Sequence, residues 1–327
     1  MRRRRPGRGA ARRSAGAALL LAMIILGLVT TIAAGMVWQQ QRAVEVEAAD
    51  RARSQAAWIL TGALDWARLI LREDLRSAGQ RGALYTSLGD PWATPLDEAR
   101  LSSFLAADQS NNADGGPEAF ISGAIVDAQA KFNLRGLVDA AGQPVPAQIA
   151  GLQRLADIAG APSDIAARLA DLLGRALVPQ AARQPGAPIL PERYADLAWF
   201  GIDAATLQRL EPYVDLLPQP TQVDANTAPR EVLVAAIDGL DLGTAQRLVD
   251  LRQRAPFRSL AEIQAQLPAT LKLDAGRIGV FSSWFEVSGR LRIEDRVLEQ
   301  RSLLQRLNGT VIVRRQERHS LSAAVSR

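Results

Sequence analysis

The chain has no cysteine, one histidine and two lysines in 327 residues. Without cysteine there are no disulfides, no thiolate metal sites and no thiol catalysis, so an exported chain of this composition depends on core packing or on a non-thiol metal. The one histidine, His319, lies near the C-terminus, which argues against a histidine triad or a multi-histidine zinc site. Acids are missing from residues 1–16, charge of either sign is missing from Ser14 to Gln41, and proline is missing between Pro6 and Pro91.

Residues 1–16 hold seven arginines: Arg2, Arg3, Arg4, Arg5, Arg8, Arg12 and Arg13. Setting them aside from the 39 basic residues leaves 32 against 34 acidic ones, so the net charge of +5 belongs to this leader and not to a nucleic-acid surface. The uncharged run Ala17–Trp38 is long enough to cross a hydrocarbon core, which needs about 20 helical residues. Its preceding positive charge holds the N-terminus in the cytoplasm and sends the chain beyond Trp38 across the membrane.

Three fates fit such a start. One is a plain signal-anchor. Another is a secretory signal cleaved at the small residues Ile32-Ala33-Ala34-Gly35. The third is a type IV prepilin-like leader, cut after Gly16 on the cytoplasmic side, with the apolar run retained and Ala17 as the new N-terminus. The sequence beyond the run favours the third. With no proline, Ala17 to about Ser77 reads as one helix of roughly 90 Å. Past the membrane, Ala57, Leu60, Leu64, Ala67 and Leu71 recur at spacings of three and four, widened by Ile59, Ala63, Trp66 and Ile70. A helix apolar all round and then amphipathic is the pilin plan.

Gly79, Gly82, Gly89 and Pro91 end the helical pattern. Asp97–Ala106 reads as a short helix and Phe120–Asp127 as a strand. Between them, Asp108–Pro117 is a polar loop. Its oxygens suit Ca²⁺, but the spacing lacks the late bidentate glutamate of an EF-hand, so calcium is not assignable and no cofactor is expected. Helical patterns then fall at Ala147–Ala159, Ser163–Ala176, Ala204–Leu210, Pro229–Ala236, Leu242–Gln253 and Leu260–Leu267. Proline-rich breaks separate them at Pro179–Pro191 and Pro212–Pro220. Asn226-Thr227-Ala228-Pro229 reads as a helix start capped by Asn or Thr. After Gly276 the period becomes two: Trp284–Ile293, Arg296–Leu307 and Thr310–Arg315 read as strands, the last two joined by the hairpin signal Asn308-Gly309.

These pieces resemble the minor pseudopilin K family of bacterial type II secretion, the general secretion pathway protein K family. They are the leader with Gly16, Val126–Leu134, Val223–Pro229, Arg252 with Pro256-Phe257, and Ser283–Val287. The resemblance implies an α+β fold: a pilin-like long N-terminal helix packed on a small antiparallel sheet, with a large all-α insertion. It divides the chain into a basic prepilin leader (1–16), the transmembrane half of the helix (17–38) and its periplasmic amphipathic half (39–78). Beyond these lie a pilin-like α/β region (79–144), the insertion (145–276, helix-hairpin-helix or SAM-like in 224–267) and C-terminal strands completing the sheet (277–327).

The resemblance further implies a single-pass protein of the inner membrane with its bulk in the periplasm. Prepilin peptidase would cleave after Gly16 and N-methylate Ala17. Expected partners are other minor pseudopilins in a hetero-oligomeric tip complex, the major pseudopilin, the peptidase and the inner-membrane assembly platform. Most pilins carry a glutamate at the fifth mature residue, where it neutralises a neighbour's N-terminal ammonium inside an apolar filament core. Here that position is Leu21. A subunit with no such neighbour to neutralise needs no such acid, and an unpaired charge in that environment costs at least ~2.5–3.5 kcal/mol. Leu21 and the bulky insertion both suit the tip of the pseudopilus.

Two other classes compete. Residues 224–263 also resemble a helix-hairpin-helix unit of the DNA-uptake type, whose helix N-terminus binds phosphate. Asp238, Asp241 and Asp250 crowd that loop and oppose it, so packing or protein interaction is the better use and nucleic acid is not expected as a partner. Acid pairs such as Glu192/Asp196 have helical spacing and read as a solvated face rather than an enzyme site. No phosphate loop or nucleophile motif stands out, and no enzyme activity is expected.

Overall fold

The computed structural model describes residues 11–80, 82–101, 118–178, 186–293 and 296–322, with side-chain surroundings from Ala17 to His319. It divides into two units, residues 1–59 and residues 60–327. A single helix, α1 (Ala11–Gln80), begins in the first and ends in the second. Leader residues 1–10 lie outside the described residues.

In the first unit the side chains from Ala17 to Val46 are exposed. The helix is long and apolar enough there to cross a membrane. Its two threonines need no water: Thr30 Oγ1 donates to Leu26 O at 2.9 Å and Thr31 Oγ1 to Gly27 O at 3.0 Å. Such back-bonding satisfies a hydroxyl in lipid.

In the second unit α1 presents Leu60, Leu64, Ala67 and Leu71 to a sheet and buries them. The sheet runs in the order β1 (Leu96–Arg100), β2 (Ala119–Asp127), β7 (Trp284–Ile293), β8 (Arg296–Leu307) and β9 (Thr310–Ser322), antiparallel throughout. Trp92 and Phe285 meet edge-to-face in this core with centroids 5.1 Å apart. The β8–β9 turn falls on Asn308-Gly309, with φ of 51° and 75°, the left-handed pair that a two-residue hairpin requires.

A helical body occupies the chain between β2 and β7. It contains α2 (Pro146–Ala159), α3 (Ile165–Leu177), α4 (Ala204–Leu210), α5 (Arg230–Ala236), α6 (Leu242–Arg254) and α7 (Leu260–Gln264). Two short parallel pairs stitch it, β3 (Phe132–Asn133) with β4 (Val214–Asp215) and β5 (Val223–Asp224) with β6 (Ile278–Gly279). One apolar core runs from Phe132, Leu134, Leu137 and Val138 through Leu233 and Ala235 to Ile278. α2 and α5 approach so closely at Gly151 that a Cβ there would stand 2.5 Å from Ala235 O.

Three local expectations fail. Residues 96–100 form strand, not helix: Ala99 pairs with Ile121 and Arg100 with Phe120. The ladder of an existing sheet outweighs the helix preference of a five-residue segment; residues 102–106 and the Asp108–Pro117 loop lie outside the described residues. β9 continues to Ser322, beyond Arg315, because an edge strand with a solvated face tolerates the polar and charged residues Gln316–His319. α5 takes Pro229 as its N-cap position, with no side-chain cap; Asn226 and Thr227 are engaged elsewhere. Of the Pro179–Pro191 break, residues 186–191 are described and carry no helix or strand.

Candidate functional site

Two tripeptides, Val126-Asp127-Ala128 and Val223-Asp224-Ala225, have the same sequence and build the same turn. Asp127 Oδ1 accepts from Gln129 N and Asp224 Oδ1 from Asn226 N, each at 2.8 Å. Such Asx turns stop a strand and turn the chain sharply. The first ends β2 where the helical body begins; the second ends β5 inside that body. Both aspartates are buried, at 2% and 0% exposure.

Their outer oxygens converge. Ser282, just before β7, places Oγ 2.6 Å from Asp127 Oδ2 and 3.0 Å from Asp224 Oδ2. Thr227 Oγ1 donates to Asp127 Oδ2. Thr86, past the end of α1, accepts from Ser282 N at 2.7 Å and donates to Asp224. A serine hydroxyl has one hydrogen and cannot donate to both carboxylates. Burial pushes the Asp127 carboxyl up to about 6. Burial, and then the charge of Asp127, raise Asp224 well above the usual carboxylate range. The pair therefore favours holding one proton between them, as like charges in a shared dry site do.

The surrounding amides extend the junction. Gln129 Nε2 donates to Gln222 O at 2.9 Å and its Oε1 accepts from Ser283 N at 2.7 Å. Asn133 Oδ1 accepts from Arg135 N and from Leu217 N. Asn226 Nδ2 donates to Phe257 O at 2.8 Å while its Oδ1 accepts from Phe257 N at 2.9 Å. Arg252 Nη1 donates to Ala225 O and Ala228 O at 2.6 and 2.5 Å, and burial lowers its pKa to about 10. On the sheet side Arg306 pairs with Asp74 of α1 at 2.6 Å, the two side chains 2% and 5% exposed. Its guanidinium also lies over the Phe285 ring at 4.4 Å.

The segments Val126–Leu134, Val223–Pro229, Pro256-Phe257 and Ser283–Val287 thus belong to one network that fixes the helical body to the sheet. Sequence reasoning missed Thr86, Ser282, Arg306 and Asp74. Their partners are far away in the chain, and only Asp74, a lone acid in line with the buried stripe of α1, carried a local signal. A substrate would find no access to these buried carboxylates, so the network is structural.

The other candidates separate from it. Asp196 accepts from Arg193 Nε at 2.7 Å and from Glu192 N at 3.2 Å, so it closes its own turn. Asp241 caps α6 through Thr244 N at 2.9 Å, which puts a carboxylate where a helix-hairpin-helix would seat phosphate. Asp238 pairs with Arg154 and Arg277. Gly16, Ala17 and Leu21 all lie within α1, and Ala17 and Leu21 are exposed.

Comparison with known proteins converges on one group. The family model described as "Type II secretion system (T2SS), protein K" matches residues 223–280, the segment from β5 to just past β6. A type II secretion system protein K of Pseudomonas aeruginosa is 28% identical, over 89% of this chain and 88% of its own length. Namesakes of Pectobacterium carotovorum and Klebsiella pneumoniae are each 29% identical, over 89% and 91% of this chain and 92% and 94% of their own lengths. The fold is similar to that of a chain in the crystal structure of the GspK-GspI-GspJ complex from enterotoxigenic Escherichia coli, with a TM-score of 0.59 at 20% identity, covering 83% of this chain and 98% of that one.

A long helix with an apolar N-terminal half, a small antiparallel sheet and a large helical insertion give this chain the fold of that GspK chain, and the sequence relatives support a minor pseudopilin of type II secretion. The resemblance to the protein K family read from the sequence is borne out by these relatives, and so is the fold class.

Proposed function

We propose that the chain caps the tip of the periplasmic pseudopilus, helps start its assembly for export of folded proteins, and carries no catalytic activity. One observation supports the cap above all. Within the second unit α1 runs along the sheet from Leu60, which lies against Gly289, to Asp74, which pairs with Arg306. The helical body leaves the sheet from Asp127 and returns at Trp284, on the Arg306 side. It therefore occupies the end of the sheet that α1 reaches at Asp74, not the part it crosses at Leu60. In a filament of stacked subunits that end faces the next subunit up, and a body of this size leaves it no room. Leu21, in place of the usual glutamate, agrees with a subunit that has no neighbour to neutralise.

On this reading residues 17–38 anchor the chain in the inner membrane with residues 1–16 cytoplasmic, and the bulk of the chain is periplasmic. Prepilin peptidase cuts after Gly16, and the freed stem packs against other minor pseudopilins and then the major pseudopilin on the assembly platform. The GspK relative crystallised with GspI and GspJ supports partners of that kind.

Native mass spectrometry of the chain co-expressed with the minor pseudopilins of its own system tests this. A complex holding one copy of this chain is expected, with no homopolymer when it is expressed alone. Filaments of this chain alone would contradict the cap.

A further inference from the structure

Consecutive residues of a strand point to opposite faces, yet Arg314 and Arg315 of β9 line one pocket. A bulge is the reason. Leu304 pairs with Val313 and Leu303 with Arg315, so Arg314 has no partner in register. Bulges re-aim side chains and favour sheet edges, and β9 is one of the two edge strands. From the helical body Arg135, Leu190–Glu192 and Leu217-Pro218 close the pocket, which encloses about 320 Å³.

Three guanidiniums converge there, and their commitments differ. Arg315 is engaged: Nη1 donates to Glu192 O at 2.7 Å and Nε pairs with Glu317 at 3.0 Å. Among the described residues Arg314 gives only Nε, to the neutral acceptor Gln305 Oε1 at 2.8 Å. Arg135 makes no side-chain hydrogen bond or ion pair among the described residues, and its pKa is lowered by burial alone. A part-buried cation with no counter-charge is costly. The apolar walls beside it are Leu190, Pro191, Leu217 and Pro218, and Glu192 is the one acid in the lining.

We propose that this pocket binds a carboxylate side chain on an extended acidic segment of a partner protein, held by Arg135 and Arg314 across the bulge. Guanidinium forks match carboxylate oxygens two to two. The leucine and proline walls suit apolar residues flanking the acid, which a free inorganic anion would leave uncovered. This goes beyond the cap reading and does not depend on it.

The test uses the full chain in detergent and a blocked, fluorescent hexapeptide with two adjacent glutamates between leucines. Its glutamine counterpart and inorganic phosphate serve as competitors. Salt-sensitive binding of the glutamate peptide is expected, with neither competitor displacing it at matched concentration. Arg135→Gln and Arg314→Gln should each weaken it about tenfold or more, and Arg76→Gln, on the exposed side of α1, should not. Arg314 is exposed, so its variant keeps the test open if Arg135→Gln proves unstable. No binding, equal binding of the glutamine peptide, or full affinity in the Arg314 variant would overturn the proposal. So would displacement by phosphate at matched concentration, which would mark a site for free anions.

Discussion

Asp127 at the end of β2 and Asp224 at the end of β5 meet on a single hydroxyl, that of Ser282. One aspartate belongs to the sheet and the other to the helical body, so the state of this pair bears on how firmly the two are joined. Arg306 and Arg252 are the charged neighbours that lower its cost, with Asp74 and Asp90 nearby opposing them through Arg306.

The pair makes stability fall as pH rises. Both carboxyls have folded pKa values above the unfolded value of 3.8. Between about 4 and 6 the folded state therefore binds more protons than the unfolded state, and the sign of the linkage is loss of stability with rising pH. Asp224→Asn imitates the protonated partner. Thermal unfolding of the variant should show a flatter profile from pH 4 to pH 8, with stability at pH 8 equal to or above that of the parent. A variant much less stable at pH 8 would mean that Asp224 is held ionised.

Asp74→Ala leaves Arg306 buried without its acid. A loss of about 3–5 kcal/mol is expected, the range for breaking one side of a buried pair. Denaturant unfolding measures it. A change below about 1 kcal/mol would mean that the ring of Phe285 and water replace the carboxylate.

Arg252→Lys keeps the charge and loses the geometry. A lysine reaches Ala225 O and Ala228 O with a single point charge, where the guanidinium spans both from one fixed plane. The expected cost is about 1–3 kcal/mol, appearing in amide exchange as lost protection around residues 225–229.

Gly151→Ala should destabilise although alanine favours helix by about 1 kcal/mol over glycine. The new methyl would meet Ala235 O and Arg277 Nη2 at 2.5 and 2.8 Å. Overpacking of this kind costs about 1–3 kcal/mol, and a rise in melting temperature would show that α2 and α5 can separate freely.

The sequence made the regular elements plain where one period ran uninterrupted. The alternation of Trp284–Ile293, the Asn308-Gly309 turn and the apolar faces of α2 and α3 are local signals, and the structure agrees with them. Segment 96–100 was misleading because only its partner β2 makes it a strand. The junction was half legible. Asp127, Gln129, Asp224 and Asn226 stand as polar residues within apolar surroundings, and the repeated Val-Asp-Ala marks both turns. The link between them is Ser282 with Thr86, and no periodicity connects residues so far apart. The bulge at Arg314 depends on the register of two strands, which a single strand's pattern does not contain.

A pseudopilin keeps its apolar stem after processing. Mass spectrometry of the mature chain, isolated from a host with an active prepilin peptidase, reads this directly. The expected N-terminus is Ala17 carrying one added methyl group, and Gly16→Ala should leave residues 1–16 attached. A mature chain that starts near Met36, or one that still carries its leader in the wild type, would contradict the account.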